Sequence, residues 1–272
     1  MEGKGPPLVF CYGLVCSVLH WTYQIQDLRN DHQTVWMDYR GHQNSPLPED
    51  LESINMERLT LDVENMLDHL GIKEAIFLGH SMGVNVALEF YKKNPHRIKG
   101  LILANGTPHR PLESLLITNA MEPGFNFLSW LGDKHPAALR LFWKSQKNNP
   151  LVHAAIGKLG FNNQLTPKAD VAQYVDQFAD LDPRVFLRLI GAYRDYDCTP
   201  WLHEVKVPTL VIAGEKDWII PLHQQETLKQ LIPDSELFVV KQGSHCPQMD
   251  LPEVVNEKIR DFLERKFSST AK

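Results

Sequence analysis

The chain has 272 residues, 43% of them hydrophobic and 22% charged, with a formal net charge of −5. That is ordinary globular composition, long enough for one large α/β domain with an insertion. The acidic balance and scattered Lys and Arg exclude a nucleic-acid footprint and a polybasic membrane patch, and no apolar run approaches the ~20 residues of a membrane span.

In chain order, residues 8–12 form a short apolar strand behind a Gly/Pro entry, followed by a loop, Gly13 to Ser17, and then His20 and Trp21. Residues 34–38 are the next strand, closed by Tyr39-Arg40-Gly41-His42. Leu59, Val63, Met66, Leu67 and Leu70 recur at helical spacing, and Gly71 is a C-terminal stop. Residues 75–78 are a strand that runs at once into Gly79-His80-Ser81-Met82-Gly83, after which Val84, Ala87, Leu88 and Tyr91 are helical in period. A strand over residues 98–105 follows. The alternation then breaks after Thr107-Pro108. Residues 110–204 are helical in pattern and rich in aromatics, with Trp130 and Phe142 among them. Strand signals resume at residues 209–214 and 237–240, each ending in a loop, and an amphipathic helix closes the chain. Strands alternating with helices imply βαβ units and a mostly parallel twisted sheet flanked by helices. The expected organisation is a core of residues 1–109 and 205–272, with residues 110–204 inserted as a helical cap.

Ser81 stands where a strand turns sharply into a helix. A hydroxyl held out of such a turn leaves no room for side chains two residues to either side, which accounts for Gly79 and Gly83. The helix beginning at Met82 presents its positive end where an oxyanion would develop. A serine nucleophile needs a base, and the base an orienting acid. In an open parallel sheet, functional residues gather at the carboxyl ends of strands. Asp217, in Gly214-Glu215-Lys216-Asp217, and His245, in Gly243-Ser244-His245, fit that placement. Glu215 is the local competitor of Asp217, and Asn105 follows another strand but supplies no charge. The order Ser, Asp, His is that of the α/β-hydrolase triad.

With Gly79-His80-Ser81-Met82-Gly83, Asp38-Tyr39-Arg40-Gly41-His42, Gly214-Glu215-Lys216-Asp217 and Gly243-Ser244-His245 together, the chain resembles the capped single-domain branch of the α/β-hydrolase superfamily. The resemblance runs from Pro6 to about Phe267. It implies Ser81 as nucleophile, His245 as base and Asp217 as acid, with backbone N–H groups of Leu14 and Met82 as oxyanion hole. It implies a hydrolase of carboxylic esters working through an acyl-enzyme, without a cofactor. Thioesterases, lactonases and carbon–carbon bond hydrolases share the same triad, and a non-catalytic ligand receptor on the same fold is the rival from another class. The family's usual His-Gly after this strand is Tyr12-Gly13 here, a departure that puts the hydrogen bonding that braces the loop in question and turns Tyr12 toward the pocket instead. Only seven residues precede Leu8, so the family's antiparallel lead-in strands are either absent or trimmed, and an exposed sheet edge would invite pairing.

Tyr12, Trp130, Phe142 and Trp218 are the remaining substrate-binding candidates, with His20 and Trp21 either lining the pocket or filling the core. Arg40 and His42 read as loop braces. The cysteines, Cys11, Cys16, Cys198 and Cys246, have no C-x-x-C spacing, which points to reduced thiols in a cytoplasmic protein. Cys16 and Cys246 are expected near the active site as small packing residues. No metal site is expected, because no H-x-x-x-H pair carries a Glu beside the first His. The expected partner is a small ester with an apolar acyl or alkyl group, acted on by a monomer or homodimer.

Overall fold

The computed structural model describes residues 1–15, 17–109 and 122–268. Cys16 and the first part of the expected cap, residues 110–121, lie outside the described residues.

Strand β1 (Pro7–Cys11), β2 (Gln33–Trp36), β3 (Ala75–His80), β4 (Ile98–Ala104), β5 (Thr209–Gly214) and β6 (Ser235–Val240) form one sheet in the order β2-β1-β3-β4-β5-β6. Every pairing in it is parallel. Each residue of β3 and β5 is buried, which explains the apolar runs at residues 75–78 and 210–213: a parallel sheet covered on both faces has no polar side to alternate with. The outer edge of β2 is covered at Thr34 by an antiparallel bridge to Glu2, through Glu2 N–H to the Thr34 carbonyl (2.9 Å) and Thr34 N–H to the Glu2 carbonyl (2.8 Å).

Helices α1 (Thr22–Leu28), α2 (Met56–His69), α3 (Met82–Lys93), α9 (Leu222–Leu231), α10 (Pro247–Asp250) and α11 (Pro252–Phe267) belong to the sheet layer. Helix α2 packs on α3, and α1 on α11. Asn55 caps α2 by accepting from Arg58 N–H at 3.0 Å, and Gly71 beyond its end has φ +67°, where only glycine is unstrained. The short helices α1 and α10 carry too little periodicity to be expected from sequence.

Between β4 and β5 lies a helical insertion: α4 (Glu122–Lys134), α5 (Pro136–Ser145), α6 (Pro150–Gly160), α7 (Lys168–Asp180) and α8 (Pro183–Arg194). Its two ends meet, since His109 bridges Asp197 and Cys198 N–H donates to the Pro108 carbonyl at 2.9 Å. The insertion is tied to the sheet layer by polar contacts. Tyr193 on α8 donates to Asn85 on α3 (2.7 Å), Ser17 to Gln177 on α7 (2.7 Å), and Tyr23 on α1 to Asp170 on α7 (2.7 Å). Among the described residues, no helix is long and apolar enough to cross a membrane.

Candidate active site

Ser81 sits between the end of β3 and the start of α3 with φ 55° and ψ −125°, a conformation L residues avoid. Its glycines are there for space. A Cβ on Gly79 would lie 2.6 Å from the Gly83 carbonyl oxygen, and one on Gly83 would lie 2.3 Å from the Cys11 carbonyl oxygen. The turn therefore brings the start of α3 against the end of β1.

The strand ends bring Ser81, His245 and Asp217 into one hydrogen-bonded chain. His245 Nε2 is 3.0 Å from Ser81 Oγ, and His245 Nδ1 is 2.8 Å from Asp217 Oδ2. A carboxylate only accepts, so the proton of the neutral imidazole is on Nδ1, and Nε2 is free to accept from Ser81. The other Asp217 oxygen accepts from Ile219 N–H (2.7 Å) and Ile220 N–H (2.9 Å), which fixes the carboxylate plane. The Asp217 side chain has no solvent exposure. Glu215, its competitor, instead accepts from Gln242 N–H at 2.9 Å on the surface.

Asn105, the other strand-end candidate, has a different place. It has φ 46°, donates to the Ser244 carbonyl (2.8 Å) and accepts from Gly214 N–H (2.7 Å). It thus joins the loop that carries Asp217 to the loop that carries His245. Asp250, which sequence reasoning passed over, secures the same loop from the other side. One carboxylate oxygen accepts from Ser244 N–H (2.6 Å) and Ser244 Oγ (2.7 Å), and the other from Asn162 N–H (3.1 Å) and Thr166 Oγ1. Asn162 and Thr166 belong to the insertion, so Asp250 couples it to the residue preceding His245.

The loop containing Leu14 is braced by the residues after β2. His42 Nε2 lies 3.0 Å from the Leu14 carbonyl oxygen, the shorter of its two ring contacts, and Nδ1 lies 3.3 Å from the Arg40 carbonyl oxygen. Burial holds His42 below the usual histidine range, so it carries a single proton. Arg40 grips Asp62 with two hydrogen bonds of 2.7 and 2.6 Å. Tyr12 is corrected from pocket residue to brace: fully buried, its hydroxyl accepts from Tyr39 N–H at 2.6 Å. Leu14 lines the cavity beside Ser81, while Met82 opens α3 with its side chain buried.

A cavity of about 240 Å³ opens over Ser81 and His245. Its wall is mainly apolar and includes Val15, Ile156, Phe161, Tyr174 and Ile219, together with His20. His20 is thus a pocket residue. Trp21 is a core residue, fully buried, with its indole N–H donating to the Cys11 carbonyl at 3.1 Å. Trp130, Phe142 and Trp218 are corrected as well. They are 50%, 59% and 70% exposed and take no part in the cavity wall. Composition identifies an aromatic helix but not which of its faces meets the sheet. Tyr174 and Tyr193, which do line the cavity, were missed. The spacing of Val171, Tyr174, Val175 and Phe178 on α7 was the available signal. Cys246 lines the cavity, fully buried. With His20 and His80 it brings potential metal-ligand atoms within 4.8 Å of one another, a grouping that sequence spacing does not reveal.

The model of the alpha/beta hydrolase fold family matches residues 6–252. Epoxide hydrolase 4 of Mus musculus is 27% identical over 97% of this chain and 74% of its own length. The uncharacterized carboxylesterase nap of Bacillus subtilis (strain 168) is 26% identical over 95% of this chain and 79% of its own. Among solved structures, the enol-lactonase from Burkholderia xenovorans LB400 superposes with a TM-score of 0.79 at 22% identity, covering 96% of this chain and 94% of that one.

Proposed function

The chain belongs to the alpha/beta hydrolase fold family, and from that premise we propose that it hydrolyses carboxylic esters through an acyl-enzyme on Ser81. The observation that carries this reading is the continuous chain from Ser81 Oγ through His245 to Asp217, with contacts of 3.0 and 2.8 Å, at the mouth of an apolar cavity.

In the proposed reaction, Ser81 Oγ attacks the carbonyl carbon as its proton passes to His245 Nε2. Asp217 holds the imidazole in the tautomer that can accept and stabilises the imidazolium that results. The oxyanion is received by the N–H groups of Leu14 and Met82, the latter at the positive end of α3. Bracing of the Leu14 carbonyl by His42 keeps that peptide oriented while charge develops. Collapse expels the alcohol, protonated by His245, and leaves an acyl-serine. His245 then takes a proton from water, which attacks the same carbonyl and frees the acid.

A serine as the proposed nucleophile favours acyl transfer over the activity named for the epoxide hydrolase relative. A serine opening an epoxide would form an ether, which water does not cleave under the same catalysis. A carboxylate nucleophile forms an ester, which it does. Serine chemistry therefore belongs with acyl transfer. The cavity, small and mainly apolar, suits a compact acyl group. A panel of esters, thioesters and lactones of graded acyl length tests the reading, with the highest kcat/KM expected on short esters. Higher kcat/KM on thioesters or lactones across the panel would overturn it.

A further inference from the structure

Helices α4, α5 and α6 form the outer layer of the insertion. Helix α4 packs on α8, α5 on α7 and α8, and α6 on α7. Their other faces meet solvent, yet those faces are rich in large apolar side chains. Leu141 on α5 and Leu151 on α6 are 74% and 78% exposed, and Phe127, Trp130 and Phe142 are half exposed or more. Phe127 and Trp130 lie one turn apart on α4 and stack, with ring centroids 5.9 Å apart. A single exposed apolar residue needs no explanation, but several large ones on neighbouring helices mark a surface that meets something other than water.

The charges on the same helices indicate what it meets. Lys134 stands one turn after Trp130, Lys144 one turn after Leu141, and Lys158 two turns after Leu151. Each lysine is thus in line with an exposed apolar side chain. All three lysines are exposed, and none has an ion-pair partner among the described residues. Asp133, beside Lys134, is held instead by Arg188 at 3.0 Å. Asp176 and Asp180 on α7 face Lys147, at 3.5 and 3.4 Å. The outer layer is therefore apolar and cationic, on a chain whose net charge is −5. An isologous pair would set these lysines against their own copies, which disfavours a second copy of the chain as the occupant. Rings and leucines in line with lysines suit a lipid interface. The apolar groups enter the boundary between headgroups and acyl chains, and the lysine stems run beside them to leave the ammonium groups among the headgroups.

We propose that the outer faces of α4, α5 and α6 dock on an anionic lipid surface. The basic patch that the scattered sequence positions argued against is assembled by the fold, one lysine from each helix. The docking face also leads to the cavity. Ala155 and Leu159, one and two turns after Leu151 on α6, line the cavity over Ser81, and Leu159 is 45% exposed. An apolar compound dissolved in the lipid would reach Ser81 along this stripe.

Flotation of the full chain with lipid vesicles tests the proposal. Wild type is expected to float with vesicles of phosphatidylcholine and phosphatidylglycerol in equal parts. Binding should fall about tenfold or more with phosphatidylcholine alone, or when salt is raised to about 0.5 M. Replacing Lys134, Lys144 and Lys158 together by Gln should lower partition into the anionic vesicles about a hundredfold. Trp130→Ala and Phe142→Ala should each lower it about tenfold. Urea midpoints near that of wild type show that the variants are folded. Flotation needs no turnover, so Ser81→Ala should float like wild type, and the ester reading can fail while the docking stands. No flotation with anionic vesicles, equal flotation with neutral and anionic ones, or wild-type flotation of the lysine and aromatic variants overturns the proposal. So does a stable dimer in light scattering that Phe142→Ala dissociates, which would make this face a contact between copies of the chain.

Discussion

Removing the Asp250 carboxylate should loosen the catalytic loop and the cavity wall together. Asp250 is buried, and its four hydrogen bonds reach Ser244 N–H (2.6 Å), Ser244 Oγ (2.7 Å), Asn162 N–H (3.1 Å) and Thr166 Oγ1. In Asp250→Ala the two hydroxyls can turn elsewhere, and Ser244 Oγ already lies 3.1 Å from the Gly160 carbonyl. The Ser244 N–H cannot. Stranding that buried donor costs about 1–3 kcal/mol, and losing the weaker Asn162 contact adds about 1 kcal/mol, for an expected destabilisation of about 3 kcal/mol. Asp250→Asn keeps an acceptor on one side only and should cost roughly half as much. Ser244 directly precedes His245, and Asn162 directly follows Phe161 of the cavity wall, so kcat and KM should both change. A displacement near 1 Å at His245 corresponds to a loss of up to about a hundredfold in kcat/KM. Urea unfolding at pH 7 gives the stability and steady-state kinetics on a short ester gives the rest. A variant within 1 kcal/mol of wild type with unaltered kcat/KM would refute the claim that this carboxylate couples insertion to loop.

Asp217→Asn should lower kcat by about three to four orders of magnitude by favouring the wrong imidazole tautomer. Glu215→Gln should change it by less than about twofold, because that side chain only receives Gln242 N–H at the surface; reversed losses would mean the acid is Glu215. Phe161→Ala should raise KM and shift acyl preference, whereas Trp130→Ala and Phe142→Ala should do neither, and the same ester series on all three checks it. Stability should also fall with acid because of the buried histidines. His20 is held at about 3 when folded against about 6.5 unfolded, so between those values the unfolded chain binds a proton that the folded one does not. Its contribution is full above pH 6.5 and should be lower by about 2 kcal/mol at pH 5, with His80 and His42 acting in the same direction. Urea midpoints that stay flat from pH 7 to 5 would show these rings to be protonated in the fold.

Most of what was legible in the sequence is local. The Gly79-x-Ser81-x-Gly83 turn is dictated by backbone crowding within five residues, and the strand ends carrying Asp217 and His245 are marked by short apolar runs. The structure brings these three side chains into one chain of contacts. What was illegible is tertiary. The aromatics Trp130 and Phe142 advertise a pocket by composition, yet which helix face looks inward depends on how α4 and α5 pack. Tyr12 reads as a departure near the site, but its hydroxyl finds Tyr39 N–H, 27 residues on, and the ring closes into the core. Asn105 and Asp250 look like loop residues until their partners, Gly214, Ser244 and Asn162, arrive from distant segments. The contacts that join His20 to His80, and His80 to the carbonyl of His245, are relations no spacing rule encodes.

Ester hydrolysis of the proposed kind requires Ser81 to be a nucleophile activated by His245. Incubation with a serine-directed fluorophosphonate, followed by proteolysis and mass spectrometry, tests it without knowledge of the substrate. Label is expected on Ser81 alone, at a rate that collapses in His245→Ala while the variant's urea midpoint shows it to be folded. Label on another serine, or equal labelling of Ser81 in wild type and His245→Ala, would contradict it.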